Sequence, residues 1–121
     1  IQIPHQGEVY EMARYCVDHH SPRPEGYEED AKASAGMSED EARQFFQEIA
    51  SGAESGWDFS TRWFQDGKSL STIRTSRIIP VDLNAFLYWD EILLAKFHDL
   101  AGMYTCNHEY QILKRDLLFE M

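Results

Sequence analysis

The sequence predicts an all-α fold in which helices are joined by irregular loops, and three observations predict it. A stretch from Ser38 to about Ser55 opens with a capping signature and repeats apolar residues at helical spacing. A second stretch, Pro80 to Leu100, carries apolar residues around more than one face. Closely spaced prolines and single glycines punctuate the segments between them. No internal repeat, low-complexity tract or linker divides the 121 residues, enough chain for one small domain with a modest core.

Taken in order, Ile1 to Gly7 reads as a short lead-in with Pro4 and Gly7 as breakers. From Glu8 to Val17 two periods compete. Val9, Met12 and Cys16 would share a helical face, whereas Val9, Tyr15 and Val17 fit a strand. The aromatic and β-branched content favours an extended segment. Asp18 to Glu25 must be an irregular loop, because Pro22 and Pro24 push Ser21 and Arg23 toward extended conformations. Tyr27 to Ala35 reads as a short, acid-started helix closed by Gly36.

Ser38 and Glu41 then form a capping box, the hydroxyl accepting from an early amide while the glutamate reaches back. Ala42, Phe45, Phe46, Ile49, Ala50 and Ala53 line one face of the helix that follows, as core. Gln65 to Ser71 is a polar turn around Gly67, and Leu70 to Ile79 is mixed and irregular. Pro80 suits the first turn of the next helix and Asp82 its positive end. Leu83, Phe86, Leu87, Leu93, Leu94, Phe97 and Leu100 spread around it, which suggests burial on several sides, as in the inner ring of a double-layered barrel. Gly102 ends it, and Asn107 can cap a last helix containing Tyr110, Ile112, Leu113, Leu117, Leu118 and Phe119.

With 21 acidic against 11 basic residues the net charge is −10. Such a surface repels phosphates and anionic membranes, so neither nucleic acid nor a membrane surface is an expected partner. A neutral sugar is indifferent to that field. No run is long and apolar enough to insert into a membrane. Cys16 and Cys106 are too few for a metal motif, and His5, His19 and His20 lack helical ligand spacing; no metal is expected.

The chemistry concentrates between Glu54 and Phe64, which reads Glu-Ser-Gly-Trp-Asp-Phe-Ser-Thr-Arg-Trp-Phe. Aromatic neighbours around Asp58 would lower the local dielectric, as suits a general acid, and aromatic rings stack on sugar faces. The plain structural alternative is a helix C-terminus, with Gly56 ending the helix and Trp57 and Phe59 entering the core. Composition alone favours that alternative. A rigid proline loop presenting Arg23 and Glu25 pre-places donors and acceptors for a polar ligand; otherwise it is a solvated loop whose Arg23–Glu25 pair contributes little. Glu25 and Glu54 are the nearby carboxylates that could partner Asp58. Arg62 could pair with a carboxylate or a substrate hydroxyl, and a structural ion pair is the favoured role.

Three stretches in one order carry a family resemblance: Pro22-Arg23-Pro24-Glu25-Gly26-Tyr27, Glu54 to Phe64, and Ser71-Thr72-Ile73-Arg74-Thr75 running on to Ile79-Pro80-Val81-Asp82-Leu83-Asn84-Ala85. Together they resemble the trehalases, glycoside hydrolases acting on α,α-trehalose, and the wording is similar to animal-type members. The resemblance implies a segment of an (α/α)6 double-layered helical barrel of the six-hairpin glycosidase type, with irregular active-site loops. It implies Asp58 as catalytic acid and Arg23, Pro24, Glu25 and Gly56 as substrate-binding residues; the irregular segment from Leu70 to Ile79 is separately expected to bring Arg74 and Arg77 near the site. The resemblance implies trehalose as the small-molecule partner and no cofactor. The base it implies is a glutamate downstream of Met121. Residues 1–121 are therefore expected to be an inactive piece of one catalytic domain, and animal-type resemblance is compatible with an extracellular or membrane-anchored enzyme. Two alternatives stand beside it: another helical-barrel glycosidase cleaving a different α-glucoside, or a non-catalytic helical module binding sugar or protein.

Overall fold

The computed structural model describes residues 1–102, in two compact units: Arg14–Ile78, and a second formed by Ile1–Ala13 with residues 79–102. The chain is helix-rich, as expected, but it is not purely helical. Gln2–His5 (β1) and Glu8–Glu11 (β2) form an antiparallel hairpin that pairs Ile3 with Tyr10 and Pro4 with Val9. The connecting Gln6 and Gly7 both take positive φ, 50° and 88°, as a two-residue primed turn requires. Pro4 fits because each strand of a two-stranded ribbon is an edge. The extended reading thus holds for Glu8–Glu11, while the lead-in reading of Ile1–Gly7 gives way to a strand and its turn.

In the same unit the long helix α3 spans Val81–Leu100 and stops where Gly102 turns at φ 69°. Asn84 ties its first turn to the hairpin's exit. Its Oδ1 accepts from the Ala13 amide at 2.8 Å, and its Nδ2 donates to the carbonyls of Ala13 at 2.9 Å and Pro80 at 2.7 Å. The expected burial of α3 on several sides is not met. No residue of the helix is buried, and Phe86, Trp89, Phe97 and Leu100 are exposed. An all-round apolar helix needs neighbours all round, and the described residues do not supply them. The helix expected after Asn107 lies outside the described residues.

The other unit is built on α2, Glu39–Glu54. Its capping box forms as read: Ser38 Oγ accepts from the Glu41 amide, and Glu41 accepts from the Ser38 amide at 2.8 Å. The Ser38 bonds hold the Glu41 carboxyl below its ordinary range. A preceding short helix, α1 (Tyr27–Ala33), ends two residues sooner than its pattern suggested. Phe45, Phe46 and Ile49 of α2 pack with Trp63 and Ile73 as the buried core, flanked by Tyr15, Phe59, Phe64, Leu70 and Ile78.

Polar atoms close the rest of the α2 face, which the apolar pattern did not reveal. The Val17 amide donates to Ser51 Oγ at 3.2 Å, and Gln47 Nε2 donates to the Val17 carbonyl at 3.1 Å. Those bonds clip the strandless segment after Ala13 to the helix and satisfy its backbone. Buried Glu48 accepts from both the amide and the hydroxyl of Ser76, each at 2.7 Å, across the single turn Thr75–Arg77.

Candidate functional site

Helix α2 delivers the chain into the aromatic stretch through Ser55 and Gly56, the latter at φ 69°, where a side chain would be strained. The stretch is then pinned at its far end. The amide of Arg74 donates to the Trp63 carbonyl at 2.9 Å, that of Gln65 donates to the Thr72 carbonyl at 2.9 Å, and Phe64 bridges Ile73. This pairing turns Trp63 wholly inward, edge-on to Tyr15 with centroids 6.3 Å apart. Trp57 stays 52% exposed and Asp58 is exposed. The rings therefore do not enclose Asp58 within this segment: Trp63 is spent on the core, Phe59 packs against it, and Trp57 faces outward. Arg62 lies over both tryptophan rings, its guanidinium carbon 4.9 Å from each centroid.

The proline loop ends in a single turn, Pro24–Gly26, leading directly into α1. Its arginine is not matched with Glu25, as the solvated-loop alternative had it, but with Asp30, one helical turn into α1. Arg23 Nε donates to Asp30 Oδ2 at 2.9 Å and Nη2 donates to Oδ1 at 2.8 Å. The Arg23 amide adds a third bond to Oδ2 at 3.0 Å. Asp30 is 2% exposed. Burial pushes its carboxyl upward, yet the bonds and charge of Arg23 outweigh burial and hold it below the ordinary carboxylate range. The same hydrogen bond raises the Arg23 guanidinium against its own desolvation. The guanidinium carbon lies over the Phe59 ring, 5.0 Å from its centroid.

An open cleft of about 330 Å³ gathers Arg23, Pro24 and Glu25 with His19 and with Glu54 at the end of α2. Three of the sequence-nominated residues thus share one cleft with a nominated carboxylate. Gly56 and Asp58 lie just beyond Glu54, outside that lining, and are joined to it by the Arg23–Phe59 stack. Arg74 and Arg77 line a different, smaller cleft of about 240 Å³ with Glu41, Gln44 and Glu48. The turn after Phe64 is closed by Asp66, whose Oδ1 accepts from the amides of Lys68 and Ser69 and from the Thr72 hydroxyl, each at 2.8 Å. Those bonds, Ser69 first, hold its carboxyl far below the usual range. Among the described residues no group of three or more metal-ligating side chains comes together, and no helix is long and apolar enough to cross a membrane. Cys16 is exposed, and Cys106 lies outside the described residues.

Sequence reasoning missed Asp30 and Glu48. A weak signal existed for the first: α1, Tyr-Glu-Glu-Asp-Ala-Lys-Ala, has too few apolar residues to dock by an apolar face, so any side of it that packs needs its polar groups matched.

The family model for trehalase matches residues 1–120. The chain is 44% identical over 116 residues to a trehalase of Pimpla hypochondriaca, covering 92% of this chain and 20% of that protein. It is 40% identical over 121 residues to a Homo sapiens trehalase, covering 98% and 21%. A periplasmic trehalase of Pseudomonas aeruginosa is 41% identical over 99 residues, covering 82% and 18%. The chain spans about a fifth of the length of these curated relatives.

Proposed function

The chain belongs to the trehalase family, and from that premise we propose that the whole protein hydrolyses α,α-trehalose to two glucose molecules with inversion, Asp58 serving as general acid. Trehalose joins its two glucose units through both anomeric carbons. Cleavage requires the bridging oxygen to be protonated as it leaves and a water to be delivered to the opposite face. An inverting pair of carboxyl groups does this from roughly 6.5–9.5 Å apart, leaving room for the water. In this reading Asp58 donates the proton, Arg23 and Glu25 bind sugar hydroxyls, Pro24 shapes their loop, and the backbone at Gly56 approaches the substrate. The base is the glutamate that the resemblance puts downstream of Met121. The chemistry uses no cofactor.

The observation that carries the reading is the stack of Arg23 on Phe59, which joins the Arg-Pro-Glu loop to the residue beside Asp58. The family match over residues 1–120 spans both compact units, which supports a single catalytic domain. The apolar circumference of α3 supports an (α/α)6 barrel, in which further helices would cover Phe86, Phe97 and Leu100.

Glucose release from trehalose by the whole protein, wild type beside Asp58→Asn, tests the proposal. A loss of about 10²- to 10⁴-fold with the fold intact is the expected result. Full activity in the variant would remove Asp58 from the acid role. Sugar binding without turnover in the wild type would favour a non-catalytic module, and faster turnover of another α-glucoside would favour a different glycosidase.

A further inference from the structure

Arginine is a long, flexible side chain, and one left free in a loop would have to be ordered at each binding event. Arg23 is not left free. Of the five N–H donors on a guanidinium, Asp30 takes one on Nε and one on Nη2 in a side-by-side fork, which leaves the two on Nη1 and one on Nη2. The guanidinium carbon sits over the Phe59 ring, 5.0 Å from its centroid. Gly26 leaves the room: a Cβ there would lie 2.8 Å from Nη2 and 3.4 Å from the guanidinium carbon. Asp30 itself is buried at the base of α1, and both of its carboxylate oxygens accept from Arg23. A carboxylate so placed sets the plane and rotation of the guanidinium in advance of any ligand.

We propose that Asp30 is a positioning residue for sugar binding, holding Arg23 so that its free edge faces the cleft shared by Glu25 and Glu54, with Gly26 and Phe59 completing the cradle. The proposal rests on the reading of Arg23 as a sugar ligand. It extends the binding machinery to a residue that touches no substrate, and it gives Phe59 a second role beside its place in the core.

Steady-state kinetics on trehalose, with the whole protein and its Asp30→Asn, Gly26→Ala and Arg23→Lys variants, tests it. Positional errors near an ångström cost up to about 100-fold, so KM should rise about 10- to 100-fold in Asp30→Asn and Arg23→Lys, with kcat changed much less. Gly26→Ala should move KM in the same direction, because its methyl group displaces the guanidinium from the fork. A purely structural role for Asp30 would lower the folded fraction, reducing apparent kcat and leaving KM alone. An unchanged KM in Asp30→Asn, with a raised KM in Arg23→Lys, overturns the positioning role. An unchanged KM in Arg23→Lys overturns the sugar-ligand reading first, and the positioning role with it. Should Asp30→Asn yield no folded protein, the KM of Gly26→Ala decides alone.

Discussion

Replacing Gly52 by alanine probes how the core of the α2 unit sets the loop that carries Asp58. A methyl group on Gly52 would sit 2.8 Å from Phe59 Cε1, 3.2 Å from its Cδ1 and 3.3 Å from Thr75 Oγ1. Carbon atoms rest at about 3.5–4.0 Å, so something must retreat by about 0.7–1.2 Å. Thr75 is fully buried and has no room to give. The Phe59 ring is only half-buried, so it moves, and it carries with it the face on which Arg23 rests and the residue next to Asp58. Alanine contributes about 1 kcal/mol over glycine in a helix interior, while overpacking costs about 1–3 kcal/mol. The net loss of stability is therefore about 0–2 kcal/mol. Activity should suffer more, because a shift near an ångström costs up to about 100-fold. Thermal unfolding and kcat/KM on trehalose, measured on the same preparation of the whole protein, separate the two effects. A wild-type kcat/KM alongside a small drop in Tm would refute the coupling between Phe59 and the acid loop. A collapse of the fold would refute the stability arithmetic.

Three further outcomes are expected. Ser38→Ala removes the acceptor for the Glu41 amide and should cost about 1 kcal/mol in urea unfolding; no change would mean that the box is idle. Ile49→Ala opens a cavity at a side chain only 1% exposed and should cost about 2–5 kcal/mol by the same measurement, with a smaller loss indicating that the core collapses around it. Asp30, held below its ordinary 3.8, binds its proton less readily folded than unfolded. Its stabilisation is present above that ordinary value and disappears as pH falls through the lower folded one. Unfolding series from about pH 6 to about pH 2 should therefore show an acid loss that Asp30→Asn flattens; an unaltered acid limb in the variant would count against the Arg23–Asp30 pairing.

Much of what depends on near neighbours along the chain is legible in the sequence by itself. The capping box at Ser38 and Glu41, the apolar spacing of Phe45, Phe46 and Ile49, the proline-bound loop leading to Glu25 and the stop of α3 at Gly102 are each encoded within a few residues. The contiguous phrases around Arg23 and Asp58 likewise carry the family, since a motif is itself a local object. The hairpin escapes because a Gln-Gly turn with a proline in one strand resembles a broken lead-in until the two strands are seen to pair. The matching of polar groups escapes for a deeper reason. Arg23 has a nearer carboxylate in Glu25, and only the turn into α1 decides that Asp30 takes it. Glu48 finds Ser76 across 28 residues, and Ser51 finds Val17 across 34. Trp57 and Trp63 have the same side chain six positions apart, yet one faces out and the other is core, because Phe64 bridges Ile73 just beyond the second. Periodicity states which side of an element avoids water. Which distant donor meets which buried acceptor is settled by three-dimensional closure, because a polar group buried without a partner is costly.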